Sequence, residues 1–318
     1  MNTYTATQSN ILKAADIIKR GGLVAFPTET VYGLGTDAFN AQAIAKIFQV
    51  KRRPLFDPLI VHIADISSVE KLSTSIGTDA IKLMNLFWPG PLTIILRKLP
   101  AVPDIVTAGN PSVAIRMPSH PVALELIKKS ATPIAAPSAN LFGYLSPTTA
   151  EHVADQLGKK VDFILDGGAC SVGLESTILD LTTLNPVILR LGGVPLEEIK
   201  KLFPTVTCAS FNPVKPSAPG QLLHHYAPKT PLKLIRHDEA IPDCKRVGLL
   251  AFKYPHNSAR YAAVEVLSPR GDLGEAAANL FSSLHKLDKA GLDIIYVEPM
   301  PEIGLGRAIM DRINRALH

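Results

Sequence analysis

The chain has 318 residues, of which 47% are hydrophobic and 19% are charged, and its formal net charge is +5. This composition supplies enough apolar surface for a packed core and excludes a disordered chain, while the length is typical of two domains. The positive excess is thin and spread along the chain, so it permits an anionic ligand but is not the footprint of a nucleic-acid-binding domain.

The chain up to residue 206 mixes helical spacing with short apolar runs. Apolar residues at helical spacing predict helices at residues 11–20, 41–50, 79–87, 122–129, 148–157 and 196–202. Short apolar runs predict strands at residues 23–26, 59–64, 92–96, 113–117, 133–137, 162–166, 176–181 and 187–192. Thr148 or Thr149 is the expected N-cap of its helix. Because strands outnumber helices, we expect an α/β domain with a large mixed sheet.

A change of composition then marks a linker. Residues 211–232 hold five prolines, and proline at this density favours an extended, semi-rigid segment. Beyond it, strands are predicted at residues 232–235, 246–252, 262–267 and 293–299, and helices at 273–290 and 305–317. This pattern indicates a small Rossmann-like α/β domain. We therefore predict a first domain at 1–206, a linker at 207–231 and a second domain at 232–318.

The sequence carries no signal for secretion, membrane insertion or metal binding. No run approaches the roughly 18 apolar residues of a membrane span, and the first residues lack the basic-then-apolar order of a secretory signal. Cys170, Cys208 and Cys244 lie far apart, with no metal-binding spacing and no disulfide framework. We expect a cytoplasmic protein with no membrane contact and no metal site of its own.

The densest polar stretch is FPTETVYGLG, residues 26–35, which follows a predicted strand. Gly33, Gly35 and Ala38 match the G-x-G-x-x-A of a dinucleotide fingerprint, which needs its first glycine directly after the strand. Here the six residues PTETVY intervene, which argues against a nicotinamide or flavin site. No Walker A sequence is present either.

A second polar stretch is KRRPLFDPLIVH, residues 51–62. Lys51, Arg52 and Arg53 follow the end of a predicted helix, where cations complement the helix dipole. Held between Pro54 and Pro58, the same cations could instead form a fixed loop that binds a polyphosphate. The sequence leaves both interpretations open.

Several other polar residues lie in or after predicted strands. A lone histidine on an apolar strand, such as His62, is more often a satisfied core residue than a ligand. A buried arginine such as Arg116 needs a partner, and a bound carboxylate would supply one. The loop at 136–146 follows a strand end, where α/β folds bind ligands, although turn formation alone could explain its Ser and Asn residues. No nucleophile–base pair of known spacing occurs, so the hydroxyls and cations suit a site that works by positioning and charge stabilisation.

Five stretches, in this order, resemble the YrdC-like threonylcarbamoyl-adenylate synthases. They are PTETVYGLG (27–35), K-x-R-P (51–54) with PLIVH (58–62), S-x-N (138–140), ESTI (175–178) and R-x-G-G (190–193). The resemblance covers the whole chain, and the linker sequence HHYAPKTPL is similar to that of the long, two-domain subfamily. It implies the YrdC-like fold, a twisted open mixed sheet with a concave, positively charged cavity.

The resemblance also implies a reaction. L-Threonine and bicarbonate would form an N-carboxylated threonine, which attacks the α-phosphorus of ATP and releases pyrophosphate. The product would be L-threonylcarbamoyl-adenylate, a precursor of threonylcarbamoyladenosine in tRNA. Mg²⁺ is expected with ATP, since metal ions offset charge in such transfers. A partner transferase complex would deliver the group to tRNA, so the chain itself needs at most weak RNA binding.

The family's functional residues carry over to matching positions of this sequence. L-Threonine is expected at Thr30, His62, Arg116, Ala136 and Ser176. ATP is expected at Arg53, Asp57, Ser112, Ser138, Asn140, Ser146, Arg190 and Tyr226, with Lys51 and Arg53 as catalytic residues at the phosphates. Tyr226 would make the linker a lid that excludes water. In this interpretation the polar run at 27–32 lines the cavity, and Gly33 and Gly35 turn the chain sharply away from it.

Two departures from the family pattern concern Arg52 and Asp57, which stand where the family usually has Gly and Asn. Asp57 would add negative charge near the phosphates or pair with Arg52. The linker also departs from its usual form, reading PGQLLHHYAP at 219–228. Two other functions stay open: carbamoyl transfer, as in hydrogenase maturation proteins, whose zinc-finger cysteine sets this chain lacks, and RNA binding on the concave basic face.

Overall fold

The computed structural model describes residues 2–209, 216, 218–221, 226–235, 246–255 and 258–317. Much of the predicted linker, and Cys244, therefore lie outside the described residues. The strands of the first part are β1 (Thr3–Thr5), β2 (Val24–Phe26), β3 (Gly33–Asp37), β4 (Ile60–His62), β5 (Leu92–Arg97), β6 (Ser112–Arg116), β7 (Ile134–Ala135), β8 (Phe163–Asp166), β9 (Thr177–Asp180), β10 (Val187–Arg190) and β11 (Thr207–Cys208). Those of the second part are β12 (Leu232–Leu234), β13 (Val247–Ala251), β14 (Ala263–Val266) and β15 (Ile294–Val297).

The helices lie between these strands, most of them close to the predicted positions. They are α1 (Gln8–Lys19), α2 (Ala41–Lys51), α3 (Thr78–Phe87), α4 (Asp104–Thr107), α5 (Pro121–Ser130), α6 (Ala150–Gln156), α7 (Leu196–Leu202), α8 (Leu273–Lys289) and α9 (Leu305–Ala316). Short 3-10 helices span Ile66–Lys71, Gly158–Lys160 and Ser258–Arg260. The N-cap of α6 is Thr149, whose hydroxyl accepts from the His152 amide at 3.3 Å, so this predicted cap is confirmed.

The strands of the first part form one mixed sheet in the order β1-β8-β2-β3-β7-β4-β6-β5-β9-β10-β11. β4 runs parallel to β6, with His62 opposite Arg116, and antiparallel to β7. The second part has a parallel sheet in the order β12-β15-β13-β14, against which α8 packs. The predicted mixed α/β sheet and small Rossmann-like unit are both confirmed. Among the described residues, no helix combines the length and apolarity needed to cross a membrane.

The predicted sharp turn at Gly33 and Gly35 is wrong. Both glycines lie in β3, which pairs antiparallel with β2, and the reversal occurs before them, within residues 27–32. Glycine is needed here for space, because a Cβ on Gly35 would lie 2.5 Å from Ile134 Cγ2 and 2.7 Å from Phe26 Cε1. The strand β3 was missed because glycine is rare in strands and does not show the apolar alternation of a typical one.

The two parts share an apolar core. Leu145 and Leu174 of the first part lie in the same buried cluster as Leu280 and Phe281 of α8 and Ile309 of α9. Among the described residues, ion pairs also cross this interface: Lys289 with Glu151 and Asp155, Arg307 with Glu197, and Arg312 with Glu175. The second part is therefore packed against the first through both apolar and charged contacts.

The domain boundaries remain a prediction. Thr207 and Cys208 form β11 and pair with β10, so the large sheet continues two residues beyond the predicted boundary at 206. Ala218, within the predicted linker, is fully buried against Ile60 and Ile178 of the large sheet. Ala218 thus packs on the first domain, whereas Thr230, near the other end of the linker, donates its amide to Asp288 of α8 at 2.7 Å.

The packing of Gly35 gives a test of the fold. Gly35→Ala should lower the free energy of unfolding by about 1–3 kcal/mol, since the added methyl group has no room against Phe26 and Ile134. Gly77→Ser is the control, because a side chain there meets no atom within 4 Å and serine suits the N-cap of α3. Urea unfolding measures both variants, and a Gly35→Ala protein as stable as the wild type would contradict the close packing.

Candidate active site

One cavity is lined by residues from all five of the sequence motifs named above. It is lined by Thr28, Thr30, Val31, Gly33, Arg53, Ile60, His62, Arg116, Ala136, Pro137, Ser138, Glu175, Ser176, Arg190, Pro219, Gly220 and Tyr226. All five residues predicted for L-threonine are among them, as are Arg53, Ser138, Arg190 and Tyr226 of those predicted for ATP. These predicted residues therefore lie together in one cavity, and their roles stay predictions.

The turn before β3 is held by the hydroxyl of Thr28. This oxygen accepts from the amides of Thr30 and Val31 at 3.1 and 3.2 Å and donates to the Val31 carbonyl at 2.6 Å. Since the Thr28 proton is used, the Thr30 hydroxyl donates in the 2.8 Å contact between the two side chains. Thr30 Oγ1 also accepts from Arg116 Nη1 at 2.8 Å, so it can take part in a further bond only as an acceptor.

Arg116 is fixed before any ligand binds. Its Nη2 lies 2.7 Å from Glu29 Oε1, and its Nε donates to the Gly90 carbonyl at 3.3 Å. Glu29 Oε2 in turn accepts from the Ser119 amide at 3.1 Å. Glu29 and Arg116 are 5% and 4% exposed, so each neutralises a charge that could not be buried alone. The Nη2 group has no hydrogen-bond partner among the described residues beyond this ion-pair contact, so it can donate to a further acceptor such as a carboxylate oxygen.

His62 is neutral at physiological pH. Burial, and then the charge of Arg116, lower the pKa of its imidazole from 6.5 to about 3. Its edge packs on the Phe26 ring, with the centroids 6.2 Å apart. Its Nδ1 is buried without a hydrogen-bond partner among the described residues, and the ring lines the cavity. A buried, unsatisfied nitrogen in a cavity wall is suited to bind a polar ligand atom.

Arg190 forms part of the cavity wall together with Ser176. Its Nε and Nη2 donate to the Ser176 carbonyl at 3.1 and 3.0 Å, and Nη2 also contacts Ser176 Oγ at 3.1 Å. The Ser176 hydroxyl lies 2.7 Å from Thr93 Oγ1. Burial lowers the pKa of the guanidinium, yet this group stays charged because its ordinary pKa is so high. The wall therefore presents a fixed cation beside a fixed hydroxyl.

Asp57 pairs with Arg53, not with Arg52 as the sequence suggested. Its Oδ2 lies 2.9 Å from Arg53 Nη2, and its side chain is fully buried. Arg53 also donates from Nε to the Asp57 carbonyl at 3.0 Å and from Nη2 to the Pro58 carbonyl at 2.8 Å. Arg52 instead forms the left-handed C-cap of α2, which turns its side chain to the exposed surface. Asp57 does not line the cavity, since it lies behind Arg53.

Lys51 and Asn140 lie beneath the cavity and are not among its lining residues. Lys51 Nζ donates to the Ser138 carbonyl at 2.6 Å and to the Asn140 carbonyl. Asn140 Nδ2 donates to the carbonyls of Leu141 and Tyr144 at 2.8 and 2.9 Å. In this arrangement both side chains shape the S-x-N loop from below. Ser112 and Ser146 also lie outside the cavity lining.

Residues of the predicted linker line the cavity, and Arg312 of the second part contacts one of them. Pro219, Gly220 and Tyr226 line it, and the Arg190 Nη1 contacts the Pro219 carbonyl at 3.4 Å. Tyr226 is 1% exposed, and its ring lies 5.0 Å from the guanidinium carbon of Arg312. Tyr226 is thus buried at the cavity wall, and its role as a lid stays a prediction.

The sequence analysis missed Glu29, Glu175 and Arg312. Glu29 and Glu175 lie inside two of the five motifs, so the sequence could have indicated that their carboxylates lie at the cavity. Arg312 lies on an ordinary amphipathic helix, α9, and no local pattern distinguishes it from a surface cation. Its role depends on a contact with Glu175, 137 residues earlier in the chain.

The described residues do not provide a magnesium site. No group of three or more His, Cys, Asp or Glu side chains is placed to hold a metal among them. The acidic side chains nearest the cavity, Glu29, Asp57 and Glu175, each form an ion pair with an arginine. Carboxylates committed in this way are poor ligands for Mg²⁺, which needs free oxygen donors.

Comparisons with known proteins cover nearly the whole chain. A family model described as "Telomere recombination" matches residues 16–192, and one described as "Threonylcarbamoyl-AMP synthase, C-terminal domain" matches residues 194–317. The chain is 43% identical to the threonylcarbamoyl-AMP synthase of Pyrococcus abyssi, over 95% of this chain and 92% of that protein. It is 44% identical to the Bacillus subtilis threonylcarbamoyl-AMP synthase, over 96% of this chain and 92% of that protein.

A solved structure shows the same fold. The crystal structure of P. abyssi Sua5 complexed with L-threonine matches with a TM-score of 0.91 and 40% sequence identity. The match covers 99% of this chain and 96% of that chain, so it includes both sheets.

The low pKa of His62 predicts a pH dependence of stability. In the unfolded chain His62 binds a proton below pH 6.5, whereas in the folded protein it stays neutral down to about pH 3. The contribution of neutral His62 to the free energy of unfolding is therefore fully present above pH 6.5. It is lost as the pH falls from 6.5 towards about 3. His62→Gln should make the free energy of unfolding less steep in this window, by about 1.4 kcal/mol per pH unit. Urea unfolding of both proteins from neutral pH to about pH 4 tests this, and curves of equal slope would contradict a neutral His62.

Proposed function

The chain belongs to the Sua5/YrdC family of threonylcarbamoyl-AMP synthases, in its two-domain form, and we propose that the cavity joins L-threonine, bicarbonate and ATP. The products are L-threonylcarbamoyl-AMP and pyrophosphate, and the first is used to modify tRNA with threonylcarbamoyladenosine. The observation that carries this function is the pre-fixed pair of Arg116 and Glu29 in a cavity that also contains Arg53 and Arg190. It provides one place for a carboxylate and a separate place for phosphates.

The threonine end of the cavity is formed around Arg116. Its guanidinium binds the carboxylate of L-threonine, and Glu29 holds the guanidinium in position for this contact. Thr30 Oγ1, which can only accept, suits the amino group of the substrate. Neutral His62 offers Nδ1 to a polar atom of the same ligand without adding charge. Ser176 and the backbone at Ala136 close this end.

The chemical step joins the two ends. The amine of L-threonine forms a bond to the carbon of bicarbonate with loss of water, which gives an N-carboxylate. One oxygen of this carboxylate then attacks the α-phosphorus of ATP, and the bond from that phosphorus to the bridging oxygen breaks. Pyrophosphate leaves with the electron pair. Negative charge accumulates on the phosphates during this step, so fixed cations such as Arg53 and Arg190 stabilise the transition state.

The S-x-N loop and the linker complete the nucleotide end. Ser138 lines the cavity, while Lys51 and Asn140 fix the loop that carries it. In the family pattern Lys51 is a catalytic residue, and in the proposed reaction it acts by holding this loop through two backbone carbonyls. Tyr226 closes the cavity against water, which would hydrolyse the N-carboxylate and the adenylate. Mg²⁺ enters as the counter-ion of ATP, since the described residues supply no site for it.

The remaining expectations concern partners and location. We infer that a separate transferase carries the threonylcarbamoyl group to tRNA, as the resemblance to this family implies. Contact of the chain itself with RNA is then weak, in keeping with the net charge of only +5. We propose the cytoplasm as the location, where tRNA is modified and free cysteines such as Cys170 stay reduced.

The first test is pyrophosphate release from ATP by the purified protein. Release should require both bicarbonate and L-threonine. It should fall when L-threonine is replaced by L-serine, because L-serine lacks the methyl group. Release without threonine would indicate other carbamoyl chemistry. Salt-dependent RNA binding without ATP turnover would instead support an RNA-binding accessory protein and would contradict the synthase.

A pair of conservative variants tests the division of the cavity into two ends. Arg116→Lys keeps a charge opposite Glu29 but loses the planar fork, so the KM for L-threonine should rise about tenfold or more while that for ATP changes little. Arg53→Lys should instead raise the KM for ATP and change the KM for L-threonine little. Its partner Asp57 keeps a counter-charge, while a phosphate contact is lost. Steady-state kinetics with each substrate varied in turn measure both. Equal effects of the two variants on both KM values would contradict separate ends.

A further inference from the structure

Residues 173–176 form one wall of the cavity and are held from behind by the C-terminal part. Glu175 and Ser176 line the cavity. Behind them, the backbone of α8 lies so close that a Cβ on Gly173 would be 2.5 Å from both the Ala277 carbonyl oxygen and the Cα of Ala278. Gly173 also has a φ of +71°, which favours glycine. The segment therefore has no room to move away from the cavity.

Arg312 of α9 holds the same segment through charge. Its Nε donates to Glu175 Oε2 at 2.8 Å and its Nη2 donates to the Leu191 carbonyl at 2.9 Å. Burial opposes ionisation of Glu175, but the charges of Arg312 and Arg190 outweigh it and hold the pKa of this carboxyl below its usual value. The Arg312 side chain is 1% exposed, so the two residues form a buried ion pair across the interface.

Glu175 in turn fixes the side chain of Ser146 through a hydrogen bond. Its Oε1 accepts from the Ser146 hydroxyl at 2.5 Å, so Ser146 has no proton left and can only accept a further hydrogen bond. Ser146 is also fixed from the other side, because its carbonyl lies 3.2 Å from His285 Nε2 on α8. Arg312 moreover lies against the ring of Tyr226, which lines the cavity. One side chain of the C-terminal part thus contacts two elements of the nucleotide end.

We propose that Arg312 is a positioning residue for ATP binding. It fixes Glu175, and through Glu175 the hydroxyl of Ser146, and it fixes the ring of Tyr226 at the cavity wall. The proposal rests on the proposed function of the cavity, and it makes the C-terminal part a component of the nucleotide site rather than a separate binding module.

Arg312→Met in the full chain tests this role. The KM for ATP should rise about tenfold to hundredfold, as expected when one charge-assisted hydrogen bond is lost. The KM for L-threonine should stay close to the wild-type value, because Arg190 and Thr93 still hold Ser176. Arg307→Met is the matched control, since Arg307 lies on the same helix and crosses the same interface, but its partner Glu197, unlike Glu175, does not line the cavity. Its kinetics should equal those of the wild type.

The double variant Glu175→Met/Arg312→Met separates positioning from folding. It removes the buried carboxylate that the single variant leaves unpaired, so the thermal midpoint should return towards the wild-type value. The KM for ATP should stay raised, because Ser146 has lost its acceptor. A double variant that regains both the midpoint and the KM would overturn the proposal, as would Arg312→Met with a wild-type KM for ATP.

Hydrogen exchange gives a readout that does not depend on activity. In protein without substrates, Arg312→Met should speed exchange of the backbone amides at residues 175–177 and 226–227 about tenfold, while Arg307→Met leaves them unchanged. Unchanged exchange in Arg312→Met would overturn the positioning role alone. Failure of the wild-type protein to release pyrophosphate would contradict the proposed function instead, and the exchange result would still decide whether Arg312 positions the cavity wall.

Discussion

The cavity depends on buried charges that are paired within the protein before any substrate arrives. A charge removed from water is stable only with a partner and with its hydrogen bonds satisfied. Three arginine–carboxylate ion pairs supply such partners around the cavity: Arg116–Glu29, Arg53–Asp57 and Arg312–Glu175. Because each guanidinium is already fixed, little conformational entropy is lost when an anionic ligand binds. The same pairing keeps the cavity rigid in a reaction that relies on positioning.

This constraint also explains why the chain needs two parts. Glu175 belongs to the first part, but its counter-charge comes from α9 of the second. The apolar contacts of α8 with Leu145 and Leu174 would hold the two parts together without this ion pair. The ion pair adds something different, a fixed orientation of Ser146 and Tyr226 at the nucleotide end.

The sequence could predict those features that depend on local patterns. Apolar periodicity located most helices and strands, and five motifs located most residues of the cavity wall. The sequence could not predict β3, because its glycines are required by close contact with Phe26 and Ile134, which lie on other strands. Nor could it predict the partner of Asp57, because Arg52 and Arg53 are chemically alike and only the left-handed C-cap at Arg52 separates them. The pairing of Arg312 with Glu175 depends on how two domains pack, which no local pattern records.

The central claim is that one cavity joins three substrates into a single product, and isotopic labelling of that product tests it most directly. The protein would be incubated with ATP, L-threonine and ¹³C-bicarbonate, and the nucleotide products would be separated and weighed by mass spectrometry. Our account predicts one new adenylate that contains threonine, AMP and a single ¹³C atom in the carbamoyl carbon. An adenylate that contains threonine without the label, or no new nucleotide while pyrophosphate is released, would contradict it.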